Sequence, residues 1–412
     1  MASHPDSPRP PASVARVTRI VLAALMGLIF ALSVGAAIVL WPKTGELREP
    51  VPLLAEGTHF AYGVVTSIAE AAEQRSIAAV DMEVRVRLDG EDTSVPIQPI
   101  PEVSAEEMSV GDRLKLLFIP KAAETGSPYV FVDFQRGTPL ALLVAVFAVV
   151  VVAVARWKGL AALAGLGAAL AILWWFALPA LAVGRNSVAV ALVTAGLVLF
   201  AVVYATHGVS VRTTTALLGT YVGAGIVLGL AAWMIPATRL TPRTHENMNE
   251  LMAYLPAVDL RGVLLCGMML AGIGVLNDVT ITQASAVWEL RGAAPELPRR
   301  ALFTRAMRIG RDHIASTVYT IAFAYMGTAL ATLLLVRAFD HSFADLVTFE
   351  EIADELVRTL VASTGLVIAI PLTTAIGVWL AGTPSAVDDA GPHVQEGDSP
   401  CEVRGLEAES RE

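Results

Sequence analysis

Eight stretches of this chain are long and apolar enough to cross a lipid bilayer, and that restricts its fold more than any other feature. A crossing helix needs about 20 apolar residues, because the hydrocarbon core is about 30 Å thick. The stretches are 19–41, 138–155, 159–182, 187–206, 213–235, 259–278, 313–337 and 357–382. Composition agrees: 55% of the 412 residues are hydrophobic and 16% charged, against roughly a quarter charged in soluble domains. The expected fold is an α-helical integral membrane protein with eight transmembrane helices.

Lysine and arginine in short loops set orientation. Arg16 and Arg19 precede the first stretch, and Arg156 and Lys158 link the second to the third. His207 and Arg212 link the fourth to the fifth, and Arg291, Arg299, Arg300, Arg305, Arg308 and Arg311 separate the sixth from the seventh. With eight crossings all of these share one side, expected to be cytoplasmic together with both termini. The acidic segment from Asp340 to Glu355 falls opposite, as do the exceptions Arg185, Arg239 and Arg243. The first apolar run is longer than a signal-peptide core and no A-x-A site follows it, so 19–41 is expected to be an uncleaved anchor. Residues 1–18 and the acidic tail 383–412 are expected to be disordered cytoplasmic segments.

Residues 57–136 differ in kind. Met82–Leu88, Leu114–Phe118 and Tyr129–Phe134 alternate apolar and polar side chains, the period of half-buried strands. Asp89-Gly90 and Gly111-Asp112 mark turns. A small all-β extracytoplasmic domain, OB-like or another small barrel, is expected between helices 1 and 2. It reads either as a rigid cap on the helices or as a module that senses a ligand or partner.

No Walker A, HExxH, GxSxG, paired CxxC or dinucleotide fingerprint occurs. An enzyme is therefore not expected, nor a cofactor or metal. Cys266 and Cys401 lie far apart, one in an apolar run and one in the tail. No basic, aromatic-interleaved surface suggests nucleic acid. The bilayer is the expected partner, with a small solute or proton, a membrane protein or a second copy of the chain as further candidates.

Within the helices, Gly219-x-x-x-Gly223 and Gly225-x-x-x-Gly229 let backbones approach closely. Thr317, Thr320, Thr328 and Thr332 form a stripe that is either structural or lines a polar path. Pro371 is expected to kink the last crossing. Thr348-Phe349-Glu350-Glu351 fits a capping box. It begins an amphipathic segment (Phe349, Ile352, Leu356 and Val357 beside acids) expected on the outer surface.

The segment Gly274-Val275-Leu276-Asn277-Asp278 ends an apolar run with an amide and a carboxylate. An intramembrane carboxylate is a functional-site candidate by default. Continued as a helix, Asp278, Thr282, Ser285 and Glu289 share one face, with Gln283 beside them. Pro295 and Pro298 then break the chain into two helices, and Arg311, Asp312 and His313 open the next crossing. Packed as a hairpin, the two helices would let Asp278 or Glu289 pair with Arg308, Arg311 or His313. That arrangement reads as a proton relay or as an ion-paired elbow anchored at the headgroups.

Three motifs resemble the YibE/F-like family of bacterial multi-span membrane proteins. They are Gly274–Ser285, Gly310–Val318, and Glu355–Arg358 continuing through Gly365–Thr374. The similarity is taken to cover 57–382 and implies a bacterial cytoplasmic membrane protein of permease-like type. Leu276-Asn277-Asp278, with the hydroxyl-rich seventh stretch, is also similar to SecD/SecF-type proton-driven proteins. The expected function is a secondary transporter or ion-coupled permease. Asn277, Asp278, Thr282 and Gln283 would lie at its cytoplasmic mouth, Glu289, Arg311, Asp312 and His313 would couple or pair, and Pro371 would gate. The alternative is a non-transporting scaffold or assembly partner acting through the β domain.

Overall fold

The computed structural model describes residues 12–47, 57–70, 82–90, 94–97, 108–124, 127–240, 248–338 and 349–382. Its helices are α1 (Ala12–Leu40), α2 (Gly137–Ile172), α3 (Leu178–Ala182), α4 (Ser187–His207), α5 (Val211–Ala237), α6 (Met248–Tyr254), α7 (Leu260–Ala293), α8 (Arg299–Thr328), α9 (Leu330–Ala338) and α10 (Glu350–Leu380). Between α1 and α2 lie the strands β1 (His59–Glu70), β2 (Met82–Leu88), β3 (Ser94–Ile97), β4 (Arg113–Phe118) and β5 (Tyr129–Phe134).

Among the described residues six helices are long and apolar enough to cross a membrane. The number is seven if α8 and α9, bent by 62° across Ala329, form one crossing. The difference from eight lies in Gly137–Ala182, a single apolar helical stretch of 46 residues. Drawn straight it would measure about 70 Å, more than twice the hydrocarbon thickness. It is not straight. Arg156 adopts φ 54 and ψ −130, and a Cβ on Gly159 would run into the Val151 carbonyl. Those two residues would stand about 12 Å apart in a continuous helix, so the chain folds back at Arg156-Trp157-Lys158.

Side-chain caps start three of the long helices. Asn186 accepts from Ala189 N–H at 3.0 Å, Ser210 from Thr213 N–H at 3.1 Å, and Asp259 from Arg261 N–H at 3.2 Å. Each satisfies a donor that the first helical turn leaves unpaired. Pro295 and Pro298 separate α7 from α8 as expected. Thr348 of the expected capping box lies outside the described residues, and Phe349 precedes α10 with no side-chain cap.

Alternating chain direction gives the bundle two ends. At the sheet end, Glu46 after α1 pairs with Arg185 before α4 at 2.6 Å. The Lys43 backbone N–H and the Arg185 guanidinium hold the Glu46 carboxyl below its ordinary range. At the tail end, Arg291 donates to the Gly382 carbonyl at 3.1 Å.

The tightest packing joins α5, α7 and α10. A Cβ on Gly223 would sit 2.8 Å from Leu276 Cδ2 and 3.0 Å from Ala369 Cβ, whereas Gly225 and Gly229 meet nothing within 4 Å. Only the first of the two GxxxG patterns is therefore a contact surface. By contrast α2 presents Leu142, Leu143, Phe147 and Val149 at 53–68% exposure, an apolar face suited to lipid.

The five strands form one antiparallel sheet ordered β3-β2-β1-β4-β5. Alternate residues Val84, Val86 and Leu88, with Leu114, Leu116 and Phe131, make its core. Ser127 donates to the Pro96 carbonyl, drawing the β3 and β5 edges together. β2, β4 and β5 lie on the three alternating runs. The central strand β1 escaped that pattern because a register shift between Val65 and Ser67 breaks its alternation.

Gly223→Leu is expected to destabilise the bundle by about 1–3 kcal/mol through overpacking. Gly225→Leu should stay within about 0.5 kcal/mol of the parent. Denaturant unfolding of both purified variants in one detergent would check the contrast.

Candidate functional site

Two layers of buried polar side chains cross the α5–α7–α8–α10 bundle. The first lies towards the tail end. Gln283 of α7, 2% exposed, donates through Nε2 to the Ala306 carbonyl of α8 at 3.0 Å and to Thr374 Oγ1 of α10 at 2.7 Å. One amide thus ties three helices. Gly310 makes this possible, since a Cβ there would stand 2.6 Å from Ile370 Cγ2 and 3.0 Å from Gln283 Oε1. One turn away the Thr220 and Thr280 hydroxyls meet at 2.6 Å, linking α5 to α7.

Beside these satisfied groups, three buried polar atoms have no hydrogen-bond partner among the described residues: Asn277 Oδ1, His313 Nε2 and Thr373 Oγ1. Asn277 lies six residues from Gln283 on α7, and His313 seven residues from Ala306 on α8. Because the helices run antiparallel, both sit about 10 Å from the Gln283 bridge on the same side. Buried polar groups are nearly always paired, so such a group calls for a physical reason.

The second layer lies towards the sheet end. Asp354 is 4% exposed, and its Oδ2 accepts from Arg358 Nη2 at 2.9 Å. Arg358 Nε also lies 3.8 Å from Glu355 Oε2. Gly267 of α7 faces the guanidinium, where a Cβ would make an ordinary contact of 3.7 Å with Arg358 Nη1. Tyr325 of α8 interacts electrostatically with both Arg358 and Glu355. These charges stand inside Ile352–Leu380, a helix apolar enough to cross a bilayer.

An apolar layer separates the two. Ile273, Leu276, Leu366 and Ala369 are at most 4% exposed, and Gly365 admits the Val227 side chain to contact. From Gly267 to Thr280 the rise along α7 is about 20 Å.

The residues expected from sequence divide between buried and exposed positions. Gln283 is at the centre of the tail-end layer, and Asn277 and His313 are partly buried beside it. Asp278, Thr282 and Glu289 share one face of α7, as their spacing implied, but that face is exposed, as are Arg311 and Asp312 on α8. Among the described residues, Asp278 and Glu289 form no ion pair with Arg308, Arg311 or His313. The physical reason is that α8 packs through the small side of Leu302, Ala306 and Gly310, all buried, which turns its arginines outward. α10 runs through Pro371 as one helix, and the sharp bend falls at Ala329 instead. The Asp354–Arg358 pair was not singled out, although its i,i+4 spacing within one helix was a readable signal. In the sequence Asp354 belongs to the acidic stripe Glu350, Glu351, Asp354 and Glu355 of the segment expected on the outer surface. No cluster of three or more His, Cys, Asp or Glu among the described residues could hold a metal ion.

A bundle of long apolar helices with buried charges defines a multi-span membrane protein. The family model described as YibE/F-like protein matches residues 143–383, more than half of the chain, and the chain belongs to the YibE/F-like family. The match includes both polar layers, whereas α1 and the sheet lie outside it, so it is narrower than the 57–382 expected. No curated protein and no solved structure matches the chain significantly.

Gln283→Leu removes two interhelical bonds and is expected to lower stability by about 0.5–2 kcal/mol, the range for such bonds in membranes. Asp278→Ala, on an exposed face, should change it by less than about 0.5 kcal/mol. Unfolding curves in matched micelles would distinguish them.

Proposed function

We propose that the chain is a secondary transporter or ion-coupled permease of a bacterial cytoplasmic membrane, with the proton as its coupling ion. The observation that carries this reading is the stacking of two buried polar layers across an apolar plug. Charges inside a membrane bundle are costly and mark ion or substrate pathways. Asp354, Arg358 and Glu355 form the outer station. Asn277, His313 and Thr373 offer acceptors at the inner one, with exposed Asp278 at the cytoplasmic mouth. His313 has the side chain suited to proton exchange near neutral pH.

In this reading the bundle crosses the membrane eight times. The reversal at Arg156 divides Gly137–Ala182 into two crossings, and α8 with α9 forms one broken crossing. The clustered arginines of α8 then face the cytoplasm with both termini, and the sheet, OB-like in strand order, stands outside.

The test is proton flux into proteoliposomes that contain a pH-sensitive dye, driven by an imposed gradient. Asp354→Asn should lower the protein-dependent rate at least tenfold, with insertion retained but a lower melting temperature because Arg358 loses its buried partner, and Asp278→Asn severalfold with the melting temperature unchanged. Wild-type vesicles no leakier than empty ones, or equal rates in both variants and the parent, would remove the proton pathway.

A further inference from the structure

A separate cavity of about 990 Å³ opens at the tail end between α1, α4 and α5. It lies at the top of the ordinary range for small-ligand pockets, about 300–1,000 Å³. Its walls are apolar: Leu22, Met26, Phe30, Leu197 and Phe200. Ser210 and Thr214 also line it but are already engaged. Ser210 caps α5, and Thr214 Oγ1 lies 3.3 Å from Tyr204 Oη. Arg19 is the one charged residue among the lining. It is exposed and forms no ion pair among the described residues.

Further positive charge gathers at the same end of these helices. Val211 lines the cavity and is followed by Arg212. Arg212 and Lys158 both act electrostatically on His207, at the end of α4. The helices that carry them supply no carboxylate. Helix α1 contains no carboxylate, and the sequence has no Asp or Glu between Asp133 and Glu246. The amide dipoles at the start of the 27-residue α5 add to the positive field.

An apolar slot beneath a basic rim complements a molecule with an anionic head and a hydrocarbon tail. We infer that this cavity is a binding site for an anionic phospholipid. The phosphate meets Arg19 and Arg212 at the cytoplasmic headgroup level, and an acyl chain runs between α1 and α4 over Phe30 and Phe200. The site is independent of the α5–α7–α8–α10 layers. A free anion would use the rim but not the slot, and a neutral lipid the slot but not the rim.

The experiment is native mass spectrometry of the full chain after exchange into micelles doped with equal phosphatidylglycerol and phosphatidylcholine. The wild type should retain phosphatidylglycerol preferentially. Arg19→Gln and Arg212→Gln should each reduce that preference about fivefold, as expected for about 1 kcal/mol per basic residue at a lipid surface. Gly27→Leu should reduce retention of both lipids. An added Cβ at Gly27, which lines the slot, meets nothing within 4 Å, and an unchanged melting temperature would verify the fold of this variant. Equal retention of the two lipids by wild type would overturn the proposal. So would a preference untouched by either arginine variant, or displacement of the lipid by millimolar inorganic phosphate.

Discussion

Burying the Asp354–Arg358 pair between apolar helices is the constraint to which the rest of the bundle answers. Two charges taken out of water incur a desolvation penalty of several kcal/mol per ion, which their attraction offsets only with good geometry. The geometry here comes from one helix: i,i+4 spacing on α10 presents the carboxylate to the guanidinium at 2.9 Å. The neighbours adapt. Gly267 of α7 lies against the guanidinium, and Tyr325 brings an aromatic hydroxyl from α8. Replacing a buried ion pair by apolar side chains of similar volume is often neutral or stabilising, so the proposed proton pathway gives these charges a task beyond the fold.

The tail-end layer follows different physics. Its groups are neutral: Gln283 pairs with Thr374 and Thr220 with Thr280 across α5, α7 and α10, and the Ala306 carbonyl adds α8. In hydrocarbon a hydrogen bond joins helices without help from the hydrophobic effect, which does not drive association between apolar surfaces in lipid. Glycines at 223, 310 and 365 bring the backbones close enough for these short side chains to meet. The three unpartnered atoms at Asn277, His313 and Thr373 stand out against that background. Between the layers the packing is largely apolar, through Ile273, Leu276, Leu366 and Ala369, with the buried hydroxyl of Ser363 on α10 beside them.

Much of this was legible in the residues. The apolar runs place the long helices, Pro295 and Pro298 the break after α7, and the period-two runs three of the five strands. Arg156 and Lys158 mark the turn where the long stretch folds back. Gln283 stands out in the sequence only as a polar neighbour of the Asp278 face, and its role depends on α8 and α10, whose approach rests on Gly310. Sequence spacing gathered Asp278, Thr282 and Glu289 correctly on one face. It gave no sign of which face would be buried, because helix packing decides that and the apolar residues surround α7 on every side. Asp354 was hidden for the same reason: beside Glu350, Glu351 and Glu355 it reads as one more surface acid.

The central claim is that the Asp354–Arg358 pair is kept for proton movement and not for the fold. The most direct test is the double replacement Asp354→Leu with Arg358→Met, measured for both unfolding free energy and proton flux in proteoliposomes. The account predicts a protein as stable as the parent, or more so, whose flux has fallen to that of empty vesicles. A double variant that loses several kcal/mol of stability, or one that conducts protons as the parent does, would contradict it.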